Sequence, residues 1–406
     1  MKKSTYKTFL TFVNKILIMF INDLLWLFSL VFPKNKYKWI FGAWFGKSYS
    51  GSSKYLYEYI IKNHPNIRCI WITKNKLILD YLRKRGKESY YFLSLNGLWH
   101  AFTGKVYFFC CSKSDINSIT CSFLNLKVNL WHGTPIKKIM YDDNIAYDRN
   151  SFYFKCLKFC FPYLRDDFDL VISPSKLVRS IYASAFRLPN EKLPIIGDPR
   201  NDILANVSND VHREHMVERK GLTILYAPTH RCEGKDSQIL NVLPLGSEWN
   251  ILNQYLSECN SCLKLRLHYY DKKYLPTNLD EFPNIKIDTE MDAQIALLNT
   301  DILITDYSSI FLDYLLLDRP VIFTVFDLQK YLLCDRQMYF KYDEITPGPK
   351  AKNWREVIQC LDQYFLNPSA YQDGRDKICS MFIENNDGLN SCRVYALICN
   401  KLNLQN

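Results

Sequence analysis

Residues 301–313 read Asp301-Ile302-Leu303-Ile304-Thr305-Asp306-Tyr307-Ser308-Ser309-Ile310-Phe311-Leu312-Asp313. A run of strand formers, a polar turn and an apolar helical start, in that order, describe one βα unit of a parallel sheet. The hydroxyls of Ser308 and Ser309 would stand beside the free amides of the helix start, whose partial positive charge favours phosphate. An ordinary N-cap by Asp306 or Ser308 explains one of these residues and leaves the hydroxyl cluster unexplained. Thr305, Asp306, Ser308, Ser309 and Asp313 are therefore candidate phosphate-binding residues.

Working outward, residues 222–226, 263–267, 285–287 and 321–324 read as companion strands, and 310–317 as a helix. An earlier series, 39–44, 68–73, 105–110, 128–131, 170–173 and 194–196, alternates with helical patterns at 53–62, 77–85, 96–102 and about 175–186. Strands alternating with helices predict two α/β parallel-sheet units. The polar, charge-dense stretch 206–221 falls between the two series. The expected division is a membrane-associated segment at 1–36, Rossmann-like domains at 37–205 and 222–370, a linker at 206–221, and closing helices at 371–406, with 354–365 and 375–402 helical. Two such domains imply an interdomain cleft, where strand C-termini face ligands.

Composition agrees with this size. At roughly 100–200 residues per domain, 406 residues make two domains or three. With 48 % hydrophobic and 23 % charged residues, the chain is neither disordered nor fibrous. Fifty-two Lys+Arg against 41 Asp+Glu leave +11, which favours anionic partners such as phosphorylated ligands, anionic lipid or nucleic acid. The 14 cysteines have no disulfide-framework spacing. Cys259 and Cys262 form a lone C-x-x-C and Cys156 and Cys160 lie one turn apart, so no metal site is expected without a second matching pair.

Residues 9–32 are rich in large apolar side chains, interrupted by Asn14-Lys15 and Asn22-Asp23. The interruptions leave runs shorter than the ~20 apolar residues of a spanning helix, and no small-residue cleavage site follows. The polar pairs, eight positions apart, fall on roughly one helical face. An interfacial helix is expected, with Lys2, Lys3, Lys7, Lys15, Lys34, Lys36 and Lys38 available to anionic head groups. A buried core helix is the competing reading.

Further clusters carry chemistry. Trp131-His132-Gly133-Thr134-Pro135, with Lys137 and Lys138, follows a strand: His132 can face a cleft, Gly133 permits close approach, and Thr134 can cap the next turn. Against this stands a structural histidine satisfied by a backbone carbonyl. Tyr226-Ala227-Pro228-Thr229-His230-Arg231 and Leu265-Arg266-Leu267-His268 put cationic donors at strand ends. Arg231 and Arg266 are candidates to grip phosphate oxygens, and His268 to donate to a pyrophosphate. Gly197-Asp198-Pro199-Arg200-Asn201-Asp202 is either a hinge turn or part of the cleft. The sequence has no P-loop, no G-x-G-x-x-G, no H-E-x-x-H and no G-x-S-x-G.

Taken in order, these clusters resemble the CDP-glycerol glycerophosphotransferase family of teichoic acid and capsule enzymes. The carriers are Trp44-Phe45-Gly46-Lys47, His132-Gly133-Thr134-Pro135, Gly197 with Pro199-Arg200-Asn201-Asp202, and Tyr226-Ala227-Pro228-Thr229, followed by Arg266 with His268, Thr305-Asp306-Tyr307-Ser308-Ser309 with Asp313, Pro347-Gly348-Pro349, and Asp387-Gly388. Tyr269 stands where the family usually has Pro, and His230 where Trp is common. The resemblance implies a GT-B fold and peripheral attachment to the cytoplasmic face of the membrane. It also implies transfer of a polyol phosphate, glycerol phosphate foremost, from a CDP-polyol to a hydroxyl of a lipid-linked or polysaccharide acceptor, with release of CMP and without nucleic acid. His132 and His268 would then be catalytic, His132 as general base, with Arg231, Arg266, Ser308 and Ser309 on the donor phosphates. Gly133, Thr134, Lys137, Lys138, Arg200 and Asp202 would line the acceptor side or cleft. No cofactor is expected, and metal need not be obligatory if Arg, His and Ser meet the phosphoryl charge. The long N-terminal region of the large polymerases is missing, which favours a primase-like or single-transfer enzyme. A GT-B glycosyltransferase using a nucleotide sugar and a non-catalytic basic binder of lipid or nucleic acid remain alternatives.

Overall fold

The computed structural model describes residues 2–143, 151–205, 207, 221–231, 238–267, 269–334 and 337–404. Most of the expected linker and His268 lie outside them.

Strands β1 (Asn35–Phe41), β2 (Arg68–Thr73), β3 (Ser89–Tyr91), β4 (Gly104–Phe109), β5 (Leu126–Asn129) and β6 (Leu170–Val171) form one sheet. Strands β7 (Thr223–Ala227), β8 (Cys262–Leu265), β9 (Ile285–Ile287), β10 (Ile302–Thr305), β11 (Val321–Thr324) and β12 (Lys350–Ala351) form the second. Their orders are β3-β2-β1-β4-β5-β6 and β12-β11-β10-β7-β8-β9, both the doubly wound 3-2-1-4-5-6 arrangement when counted from each sheet's first strand. All pairings within the sheets are parallel. β10 and β11 are buried throughout, as strands covered by helices on both faces must be.

β3 and β12 escaped the sequence reading because three- and two-residue edge strands are too short to show a period. Segment 194–196 contributes one isolated bridge, Ser173 to Ile195, since Pro194 has no N–H to extend a ladder. The expected helix 375–402 is two helices, Gln372–Phe382 and Asn390–Lys401, with Gly388 at φ 73° in the break. The second returns to the first sheet, where Val394, Tyr395 and Ile398 pack with Trp39 and Phe108.

The N-terminal helix runs unbroken over Lys2–Phe28. The polar pairs do not interrupt it, because Asn, Lys or Asp inside a helix costs less than about 1 kcal/mol each. By length and composition its window Asn14–Val31, with mean hydropathy 1.6, could cross a membrane. The side turned to the protein carries Met19, Asn22, Asp23 and Trp26. Trp26 Nε1 donates to Cys121 O at 2.9 Å, and Phe20 meets Phe161 edge-on at 5.2 Å. Leu17, Ile18, Ile21, Leu24, Leu25, Leu27 and Phe28 face outward and are exposed. A water-facing surface helix would be turned the other way round.

Candidate active site

β5 ends at Asn129, whose side chain accepts from Trp131 N at 2.8 Å. Trp131 then takes φ 51°, a left-handed conformation costing about 1–2 kcal/mol in a non-glycine residue. The reversal turns His132 out of the sheet, where its ring is exposed. His132 Nδ1 lies 3.0 Å from Cys110 O and 3.8 Å from Cys111 Sγ. With Nδ1–H donating to that carbonyl, the lone pair belongs to Nε2, the tautomer a base requires. The surrounding protein desolvates the ring and pushes its pKa down, but contact with Cys111 and Cys110 O outweighs this and leaves it above the ordinary histidine value.

A second strained turn abuts the imidazole. Trp44, Phe45 and Gly46 follow one another at φ 48°, 56° and 79°, and the Trp44 ring lies 5.2 Å from that of His132. Buried Asp115 holds this turn: Oδ1 accepts from Phe45 N, and Oδ2 from Cys110 N and Cys111 N, each at 2.8 Å. Cys110, Cys111 and Asp115 bring ligand-type atoms within 4.8 Å of one another. Both Asp115 oxygens are already engaged by amides, and Cys110 Sγ accepts from Trp44 N at 3.3 Å, so the group is built as a structural knot. Sequence reading gave Cys110, Cys111 and Asp115 no role; the adjacent cysteines after a strand were the available signal.

From the second domain come Ser308 and Ser309, half-buried at the turn after β10. A methyl group placed on Gly133 would sit 3.2 Å from Ser309 Oγ, so the turn after His132 lies against the serine turn. The helix behind the serines, Ile310–Tyr314, is one turn long before it tightens to 3₁₀ geometry, which leaves the hydroxyls rather than a macrodipole as the polar feature there. Buried Asp306 braces this turn, its Oδ1 accepting from Thr229 N at 2.7 Å and from Tyr307 N at 2.5 Å. Thr305 Oγ1 donates to Ala227 O at 2.6 Å.

Several expected phosphate or cleft residues have internal partners. Arg231 is 3 % exposed, pairs with Asp327 through two nitrogens at 2.9 Å and with Asp306 at 2.7 Å, and lies over the Tyr307 and Tyr331 rings. Two carboxylates therefore hold the guanidinium that the sequence assigned to phosphate. Arg266 is tied to Asp288 and to Glu290 O. Arg200 and Asp313 are buried against each other, and Asp202 accepts from Asn390 N and Ser391 N at the start of helix Asn390–Lys401. Thr134 is buried. Lys137 and Lys138 reach the second domain: Lys137 bridges Met338 antiparallel and donates to Tyr331 Oη at 3.3 Å, while Lys138 Nζ donates to Gln337 Oε1 at 2.8 Å.

Two doubly wound domains, with the histidine turn of one seated against the serine turn of the other, make this a GT-B-like protein. A family profile described as CDP-Glycerol:Poly(glycerophosphate) glycerophosphotransferase matches residues 24–400. The chain belongs to that family of transferases. It is 30 % identical over 377 residues to a teichoic acid poly(glycerol phosphate) polymerase of Staphylococcus epidermidis, covering 84 % of this chain and 48 % of that protein. To one of Bacillus spizizenii it is 31 % identical over 387 residues, covering 86 % of this chain and 90 % of that one. The chain thus spans about half the length of the first relative (48 %) and nearly all of the second (90 %). The structure of the wall teichoic acid polymerase TagF superposes with a TM-score of 0.74 at 26 % identity, covering 99 % of both chains.

Proposed function

We propose that this chain transfers a polyol phosphate, glycerol phosphate foremost, from a CDP-activated donor to a hydroxyl of a lipid-linked or polysaccharide acceptor, releasing CMP, in teichoic acid or capsule-type polymer synthesis. The observation that carries this reading is the seating of His132-Gly133 against Ser309 across the domain boundary in a member of this family. A similar structure, that of a TagF variant soaked with CDPG, supports a CDP-activated donor.

In the proposed step, His132 Nε2 takes the proton of the acceptor hydroxyl as its oxygen attacks the β-phosphorus. The new P–O bond forms as the bond to CMP breaks. Ser308 and Ser309 hydroxyls meet the phosphoryl oxygens, and His268 is assigned to the donor phosphates. Arg231, Asp306 and Thr305 act one layer back, by fixing the loops that carry the serines and Thr229. Residues 37–205 would form the acceptor domain and 222–370 the donor domain. The outward apolar face of helix Lys2–Phe28 supports peripheral attachment to the cytoplasmic membrane face, with anionic lipid as the partner. Since a polymerase of which the chain covers 90 % has a similar span, length does not separate primase from polymerase.

Purified protein incubated with a panel of CDP-alcohols, nucleotide sugars and lipid-linked acceptors tests the assignment by mass spectrometry of the product. Release of CMP with addition of a polyol phosphate is expected. Turnover of UDP- or GDP-sugars instead would replace the reading with a glycosyltransferase. The pH profile gives a second check. A base must be neutral to act, and the His132 pKa lies above its ordinary value of about 6.5, so kcat/KM rises with pH through an apparent pKa above 6.5. An acid limb well below that value would remove His132 as the base.

A further inference from the structure

Cys111 lies beside His132, and the proposed transfer does not use it. It follows β4, is half-buried, and places Sγ 3.8 Å from His132 Nδ1 and 3.8 Å from Cys110 Sγ. Its backbone N–H is fixed by Asp115 Oδ2 at 2.8 Å, so the thiol is delivered to the imidazole by a rigid loop. The two neighbours differ sharply: Cys110 is fully buried, whereas Cys111 retains solvent access beside an exposed ring.

We propose that Cys111 is a thiol-modification site through which peroxide-class oxidants and small electrophiles silence the adjacent His132. The proposal rests on His132 being the base, and its chemistry is testable without turnover. Stabilisation of the thiolate by the Cys110 thiol, and then by the imidazole, brings the Cys111 pKa down to about 7. Burial pushes the Cys110 thiol well up, which leaves Cys111 as the nucleophile of the pair. With hydrogen peroxide, the Cys111 sulfur attacks one oxygen: an S–O bond forms, the O–O bond breaks, and sulfur gives up two electrons to become a sulfenic acid. The departing hydroxide takes the imidazolium proton and leaves as water. Two equivalents of a thiol reductant return the cysteine, with one disulfide and one water as products. In the modified state the sulfur carries added bulk and no thiolate charge 3.8 Å from Nδ1, so both the position and the basicity of His132 change.

The test uses iodoacetamide and hydrogen peroxide on the full chain at pH 7, with peptide-resolved mass spectrometry and CMP release followed in parallel. Exposed Cys160 is the internal reference. Cys111 should alkylate roughly tenfold faster than Cys160, the advantage of its own lowered pKa tempered by weaker intrinsic nucleophilicity. His132→Ala and His132→Gln should both reduce that advantage. Turnover of the wild type should fall in step with Cys111 modification and return with reductant after peroxide. Whatever turnover Cys111→Ser retains should be insensitive to both reagents. Equal labelling of Cys111 and Cys160, labelling indifferent to His132, or full modification of Cys111 with turnover intact would each overturn the proposal. If no CDP-polyol is turned over, the transferase reading fails while the labelling rates still decide the thiol chemistry.

Discussion

Replacing His132 with alanine lowers CMP release by about 10²–10⁴-fold while CDP-donor affinity stays within a few-fold of the wild type. That range is the typical contribution of a positioned general base. The ring's environment favours the upper part of it. Its Nδ1 is anchored to Cys110 O at 3.0 Å, and two strained turns, at Trp131 and at Trp44-Phe45-Gly46, hold it at the domain boundary. Residues persist in such backbone conformations only when their surroundings over-determine them, and they gather at functional sites. Measurement of kcat with saturating donor, alongside isothermal titration of the CDP-polyol, separates the two quantities. Loss of donor binding with kcat preserved would make His132 a donor ligand and leave the base unassigned.

Asp313→Ala destabilises the protein by about 3–5 kcal/mol, the cost of removing one partner of a buried ion pair, because it leaves the Arg200 guanidinium with Asp198 alone and takes the acceptor from Asn201 and Gln294. Arg200, 3 % exposed, donates to Asp313 through Nε at 2.8 Å and Nη2 at 3.0 Å, and to Asp198 Oδ2 at 2.8 Å. Asn201 Nδ2 and Gln294 Nε2 also donate to the Asp313 carboxylate, at 3.1 and 3.0 Å. Arg200 and Asn201 follow the last strand of the first sheet, whereas Gln294 and Asp313 belong to helices of the second α/β unit, so the cluster fastens the two sheets together. Gly197, at φ 100°, begins the turn that delivers Arg200; a Cβ there would lie 2.2 Å from Asn390 Oδ1. Chemical unfolding should show the loss as a lower midpoint, with both domains affected. Were Asp313 a donor-phosphate residue instead, the alanine variant would raise the donor KM at unchanged stability.

The βα alternation was legible because each central strand is a short apolar run, and such runs declare themselves without knowledge of partners. His132 was legible for a similar reason: a histidine beside Gly133, just past a strand, is a local signal. Cys111 and Asp115 were not. Their importance comes from contacts with residues 21 and 70 positions away, His132 and Phe45. The partners of the cations were hidden in the same way. Arg231 looked free in sequence because Asp327, its main partner, lies 96 positions downstream on another loop.

The sequence by itself determined two parallel α/β units, their order, the apolar N-terminal helix and the family, since these depend on period, composition and ordered motifs. Only the tertiary structure decided which charges are consumed in holding the domains together and which polar groups meet at the domain boundary. Ion pairing and desolvation act over a few ångströms in space and are blind to distance along the chain. A cation's availability is therefore set by whichever carboxylate the fold brings to it, as Arg200 with Asp313 and Arg231 with Asp327 both record.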